Sequence, residues 1–238
     1  MTTRTEGPAQ LPLALRYPPD QRFEGFVGAP DGALALLQAL ARGAAPAGVG
    51  GVYLHGAAAT GKTHLLLATC AEADAAGLRA AYLPLQAAAG RVADALHAYE
   101  HADLLALDGL DAIAGQRDDE VALFDAHNRA RDAGRHVVYA AQAPVDALPL
   151  VLPDLRSRLQ QCVRVALAPL DDAGRAEVLR LRAQRRGLQL DDAAIDWLMR
   201  RVDRDLASLT ALLDRVDRAS LAAKRRITVP FLRVLLGT

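Results

Sequence analysis

The sequence predicts an α/β fold: a parallel sheet flanked by helices, followed by a small C-terminal helical domain. Three observations carry this. Short apolar runs alternate with amphipathic stretches between residues 23 and 166, at the spacing of βαβ units. Those runs are almost continuously apolar, as strands covered on both faces must be. Beyond Pro169-Leu170 the runs stop and only helical patterns follow.

Residues 1–22 hold four prolines and no helical period, and read as an extended, flexible tail. Within it lies one short apolar stretch, Gln10-Leu11-Pro12-Leu13-Ala14-Leu15. The globular pattern begins near Phe23. Asp31 stands where a helix cap belongs, ahead of Leu34, Leu36, Leu37 and Leu40. Strands are predicted at 52–54, 80–83, 104–107, 136–140 and 163–166. Helices are predicted between them at 62–76, 91–99 and 119–133. A nucleotide-scale α/β domain over 23–169 and a helical domain over 170–238 follow. In the second, Asp171 opens a helix to residue 186 that Gly187 ends. Asp191 opens another to 202, a third spans 205–224, and Pro230 sits at an early position of a short last one.

Composition narrows the function. The 238 residues carry 28 Lys+Arg against 28 Asp+Glu, so bulk charge does not hold this chain on nucleic acid. Hydrophobic residues are 52% and aromatic ones 4%, so Leu, Val and Ala fill the core. No uncharged apolar run reaches the roughly 18 residues that cross a bilayer, and no membrane partner is expected. The first residues lack the apolar core of a secretory signal. Cys70 and Cys162 form no CxxC pair, and two isolated thiols suit a reducing cytoplasm. Nothing resembles a zinc ligand cluster. His55 and His64 flank the strongest motif, and His97 and His101 are spaced i,i+4 without a carboxylate-rich metal setting; all four read first as packed or hydrogen-bonded groups. Lys224-Arg225-Arg226 suits a helix C-terminus, where cations are favoured.

That motif is Gly56-Ala57-Ala58-Ala59-Thr60-Gly61-Lys62-Thr63, a full GxxxxGK[ST] between a predicted strand and a predicted helix. Its glycines let the loop wrap so that successive N–H groups converge on phosphate oxygens. Lys62 adds a point charge, the Thr63 hydroxyl a Mg²⁺ ligand, and the helix N-terminus its dipole. The strand Leu104-Leu105-Ala106-Leu107 ends in Asp108, which fits the acid that helps hold the metal. The position after it, where many hydrolases keep a second acid, is Gly109. The next carboxylate is Asp111. ADP or ATP with Mg²⁺ is the expected cofactor, bound better than it is hydrolysed.

Further stretches add a resemblance. Arg22-Phe23-Glu24-Gly25-Phe26-Val27 precedes the first strand; residues 107–115 surround Asp108; Leu152-Pro153-Asp154-Leu155-Arg156-Ser157-Arg158-Leu159 follows the fourth strand. Asp203-Arg204-Asp205-Leu206, Asp217-Arg218-Ala219-Ser220 and Thr228-Val229-Pro230-Phe231 lie in the helical domain. From Gln10 to Leu236 the chain resembles the AAA+ ATPases of the DnaA type, and within them the regulatory inactivators of DnaA. The resemblance implies an AAA+ sheet domain with a helical lid. It implies that Phe26 and Val27 lie against the adenine, that His64 borders the nucleotide, and that Arg204 reaches the phosphates from the lid. Arg158 would be an arginine finger for a neighbouring subunit's γ-phosphate. Gln10, Leu11, Leu13 and Leu15 resemble the peptide that grips the β sliding clamp of DNA polymerase III, with Gln in a polar groove and the late leucines in an apolar pocket.

Two departures from the family pattern matter. Gly109 replaces the water-orienting acid, and the fourth strand continues Ala140-Ala141-Gln142 where relatives place a polar sensor. Both point to a nucleotide-bound subunit, holding ADP, that acts on another protein's ATP. The expected partners are DnaA and the clamp, with DNA touched indirectly through the clamp, in the cytoplasm at the nucleoid. A homo-oligomer or dimer is also consistent with a head-to-tail finger. No further DNA-binding domain is expected after the lid. Two other functions compete: a self-contained AAA+ ATPase such as a helicase loader, and an adaptor in which the nucleotide is structural.

Overall fold

The computed structural model describes residues 17, 18, 21–200, 213, 215, 216 and 227–236. Five parallel strands form one sheet in the order β2-β3-β4-β1-β5: β1 (Gly51–His55), β2 (Ala80–Pro84), β3 (Leu104–Asp108), β4 (His136–Ala141) and β5 (Val163–Ala166). Register is fixed at the centre by Tyr53 opposite Tyr139 and His55 opposite Ala141.

Alternation along each strand sorts side chains onto two faces. Val52, Leu54, Leu104, Ala106, Val138 and Ala140 pack with α1 (Ala33–Ala41) and α2 (Lys62–Ala75). Tyr53, Leu105, Leu107, Val137 and Tyr139 face the other way. There they meet α3 (Leu85–Ala88), α4 (Val92–His97), α5 (Arg117–Asp132) and α6 (Pro153–Gln160). Both faces are dry, which is why the strands read as unbroken apolar runs.

The strands and the long helices lie where the sequence predicts them, within a residue or two. Two differences have local causes. Asp31 does not cap α1: Gly32, in the left-handed region at φ 73°, does so without a side-chain bond, because Pro30 already turns the chain there. The short α3 follows Pro84 directly, too brief for a helical period to show.

In the C-terminal part, α7 (Asp172–Arg185) is capped by Asp171, which accepts from Gly174 N–H at 2.7 Å. α8 (Asp192–Met199) is capped in the same way by Asp191 at Ala194 N–H, also 2.7 Å. A final helix spans Val229–Leu236. Leu179, Ile195, Trp197, Leu198, Leu213 and Leu232 share a separate small core. Of the helix predicted over 205–224, only residues 213, 215 and 216 are described, and they are helical; the rest lies outside the described residues. Among the described residues no helix is long and apolar enough to cross a membrane. Cys70 and Cys162 are buried and unpaired, and burial pushes both thiols up to about 12.

Two buried carboxylates on α5 hold loops of the second layer. Asp119 accepts from Gly90 N–H and Val92 N–H, at 2.6 and 3.2 Å. Glu120, fully buried, accepts from Gly115 N–H at 2.7 Å, Val151 N–H at 3.0 Å and Leu152 N–H at 2.7 Å. It therefore fixes the entry to α6. Glu120→Ala leaves three backbone donors unmatched, the Leu152 N–H buried and the other two partly so, and is expected to cost about 3 kcal/mol. Calorimetry should read this as a melting temperature lower by roughly 6–12 °C.

His127, also on α5, is 5% exposed and shares a 2.8 Å hydrogen bond with the Tyr139 hydroxyl. Burial first, then the charges of Arg158 and Arg131, lower its pKa from 6.5 to about 4. Between those values the unfolded chain binds the extra proton, so stability falls as pH drops from 6.5 toward 4. The loss reaches about 3 kcal/mol at the bottom of that window. His127→Gln, which keeps an acceptor for Tyr139, should flatten this part of the slope in urea melts at either end of the window.

Candidate nucleotide site

The loop 56–63 leaves the carboxyl end of β1 and enters α2. Sterics set its sequence. A Cβ at Gly56 would lie 2.2 Å from the Leu167 carbonyl oxygen. At Gly61, with φ at +90°, it would lie 2.6 Å from the Phe26 ring. Between them Ala59 holds φ at 62°, the one positive value at a non-glycine among the described residues. Thr60 is buried and donates to Ala57 O at 3.0 Å.

Lys62 folds back over this loop. Its Nζ donates to Gly56 O at 2.6 Å and Ala57 O at 2.7 Å. Burial pulls its pKa below the usual lysine range, against the opposing charges of Asp108 and Asp111. Thr63 Oγ1 donates to Asp108 Oδ2 at 2.6 Å, and the Tyr82 hydroxyl donates to the same oxygen at 2.9 Å. The pair expected to hold a metal is thus already assembled, at the ends of β3 and the loop.

The loop forms one wall of a cavity of about 300 Å³. Ala59 to His64 line it from the loop and α2; Phe26 and Val27 line it from the N-terminal side. Gly56, Ala57 and Ala58 are not among the residues that line it. His64 acts as a brace: its Nε2 hydrogen-bonds to Arg22 O at 2.8 Å, and its ring meets Phe26 edge-on at 5.4 Å. Sequence reasoning missed Gln21, Leu170, Val178 and Arg182, which complete the lining. Leu170 lies at the junction of the two domains. Arg182 lies in a helix with Arg175, Arg180 and Arg185, where its sequence context matches that of solvated neighbours. Arg204 and the motif residues Gln10, Leu11, Leu13 and Leu15 lie outside the described residues.

Arg158 is not among the residues that line the cavity. It sits on α6, in the helical layer opposite α2, with its guanidinium 6.0 Å from the Phe124 ring centroid and 3.4 Å from Gln161 Oε1. Arg156, two residues earlier, is committed to its own loop: it donates at 3.0 Å each to the carbonyls of Val145, Leu148 and Leu150. The sequence presents two similar arginines; the structure ties Arg156 to three loop carbonyls and sets Arg158, partly buried like it, against Phe124 and Gln161.

Residues 18–166 match the bacterial DnaA ATPase domain, and residues 172–236 match the Hda lid domain. The chain belongs to the bacterial DnaA ATPase family. It joins that domain to a lid of the Hda type, the combination that marks the Hda group. Domain III of the Thermotoga maritima initiator DnaA superposes with a TM-score of 0.75 at 21% identity, covering 93% of this chain and 97% of that one. DnaA bound to AMPPCP and single-stranded DNA gives 0.68 at 21%, covering 88% and 70%. The Thermotoga maritima RuvB branch-migration motor gives 0.66 at 18%, covering 91% and 71%. At these identities the likeness establishes a shared DnaA-like AAA+ fold.

The left-handed Ala59 carries a cost that a glycine at this position lacks. Ala59→Gly is expected to raise stability by about 0.5–1 kcal/mol. The check is a thermal melt, in which the midpoint should rise by roughly 1–4 °C.

Proposed function

We propose that this chain is a nucleotide-bound regulator that stimulates hydrolysis of ATP held by DnaA, working from the DNA-loaded β sliding clamp. In this reading residues 1–22 are the clamp-binding tail, 23–169 the nucleotide-binding body and 170–238 the lid. The family supports a replication role linked to DnaA. The single observation that carries the regulatory step is the placement of Arg158: a half-exposed guanidinium on the helical layer away from the chain's own cavity.

The cavity suits an adenine nucleotide with Mg²⁺. Its apolar walls are Phe26, Val27, Leu170 and Val178, and its polar end holds Lys62 and Thr63. The cradle is one that a Cβ at Gly56 or Gly61 would fill. Lys62 would exchange its two carbonyl partners for phosphate oxygens, and Thr63 and Asp108 would hold the metal. The bound polyanion supplies charge for the loop and lid to close around. Gly109 offers no side chain to orient a water, and Ala140 and Ala141 end the strand beside the loop with methyl groups. Weak hydrolysis by the chain itself follows, and ADP is the resting ligand.

Arg158 then acts on the partner. An arginine supplied across an interface meets the charge that develops on the transferring phosphoryl group, an effect of about 10³–10⁵ in rate. Glu120 and Arg156 set where α6 begins and so where Arg158 stands. DNA is reached through the clamp, and a head-to-tail contact with a second copy would use the same face.

The decisive assay is DnaA-ATP turnover in the presence of clamp and DNA. Arg158→Ala should reduce stimulation by at least about 10³-fold, and a chain lacking residues 1–16 should lose clamp dependence. Undiminished turnover with Arg158→Ala rules the mechanism out.

A further inference from the structure

The end of β4 is bonded on both sides. Ala141 is opposite His55 at the end of β1. The carbonyl of the Ala141–Gln142 peptide accepts from Gly56 N–H at 3.3 Å, so strand pairing runs on into the first residue of the phosphate loop. The N–H of the same peptide donates to Asp111, at 2.8 Å to Oδ2 and 3.1 Å to Oδ1. Asp111 therefore stands one peptide unit from Gly56, whose carbonyl accepts from Lys62 Nζ. Gly109, left-handed at φ +75°, makes the turn after Asp108 that brings Asp111 back across the strand ends. The carboxylate is half-buried. Its charge is felt both by the Lys62 ammonium and by the Tyr53 hydroxyl, which is itself tied to Ala143 O at 2.8 Å.

We infer that Asp111 is a specificity determinant: strapped to the end of β4, its carboxylate sets a fixed negative charge one peptide unit from the start of the phosphate loop and makes the nucleotide site favour a nucleoside diphosphate over a triphosphate. This rests on the reading of the cavity as a nucleotide site. A strand-end acid that orients water needs an oxygen free to take a proton. Both oxygens of Asp111 instead face one backbone N–H, which holds the carboxylate in place. A third phosphate adds roughly one negative charge, and like charges at this range oppose each other in a partly buried site. A diphosphate carries less charge into that field.

The test is calorimetric titration of the full-length chain with ADP and with AMPPCP, a triphosphate analogue that resists turnover, both with Mg²⁺. The unsubstituted chain should bind ADP the more tightly. Asp111→Asn keeps an acceptor for Gln142 N–H but removes the charge, and should shift the ratio of dissociation constants about tenfold toward the triphosphate. Asp111→Glu keeps the charge and should keep the diphosphate preference. An unchanged ratio in Asp111→Asn overturns the inference while leaving the nucleotide site standing. So does an equal shift in both variants, which would trace the effect to strap geometry rather than charge, and so does a triphosphate preference in the unsubstituted chain. Binding of neither nucleotide by the unsubstituted chain overturns the site reading, and the inference with it.

Discussion

The hydrogen bond from Gly56 N–H to Ala141 O is where the sheet becomes a site. β1 and β4 pair through five register positions, and this contact carries the pairing one residue beyond β1. On its other flank β1 is held by β5, continued by Leu167 N–H donating to His55 O at 2.7 Å. The first residue of the loop is gripped from both sides by backbone, with no space left for a side chain. Such a loop is pre-formed. Its N–H groups do not have to be ordered when a ligand arrives, which removes an entropic cost that a mobile loop of eight residues would carry.

The alternation that makes the sheet also divides its duties. One face receives α2, whose N-terminus carries Lys62 and Thr63. The other receives α5 and α6, whose outer surface carries Arg158. The loop and Arg158 thus belong to layers on opposite faces of the sheet, and their supports differ in kind. The loop is fixed by backbone pairing. Arg158 is fixed by side chains: Glu120 ties down three N–H groups around the start of α6, Arg156 ties three carbonyls, and Phe124 supplies a ring face beneath the guanidinium. His127 lies beside that seat and stays neutral at ordinary pH because it is buried, so it adds no second positive charge there.

Much of this could be read from the sequence because its signals are local. Four or five consecutive apolar residues mark a strand buried on both faces, and GxxxxGK[ST] between strand and helix marks the loop. What escaped was non-local. Asp119 and Glu120 look like the solvated first turn of an amphipathic helix; only the fold shows that they point inward at five backbone donors. Arg156 and Arg158 have the same side chain two residues apart. Leu170, Val178 and Arg182 join the cavity because α7 packs back over the short turn Phe23–Gly25, a contact with no signature in either segment. Ala59 in a left-handed conformation runs against the local rule, since nothing in an alanine-rich loop announces a positive φ.

The cavity's walls come from stretches that are far apart in sequence. Arg185 and Glu24 form an ion pair at 3.8 Å with the glutamate 70% exposed, a geometry worth little in water. Leu170 packs over Gly28, where a Cβ would lie 2.6 Å from its Cδ2. A ligand that touches the loop, Phe26 and α7 together would join these stretches further, adding stability in proportion to RT ln(1 + [L]/Kd), about 2.7 kcal/mol at a hundredfold excess over Kd. The phosphate end is then the only part of such a ligand that differs between its two forms. On the proposed reading it would lie near Lys62 and the Thr63–Asp108 pair at the carboxyl ends of the strands, with Asp111 strapped beside the start of the loop. A difference of one phosphate there would change the charge that the loop meets and leave the adenine-side contacts as they are.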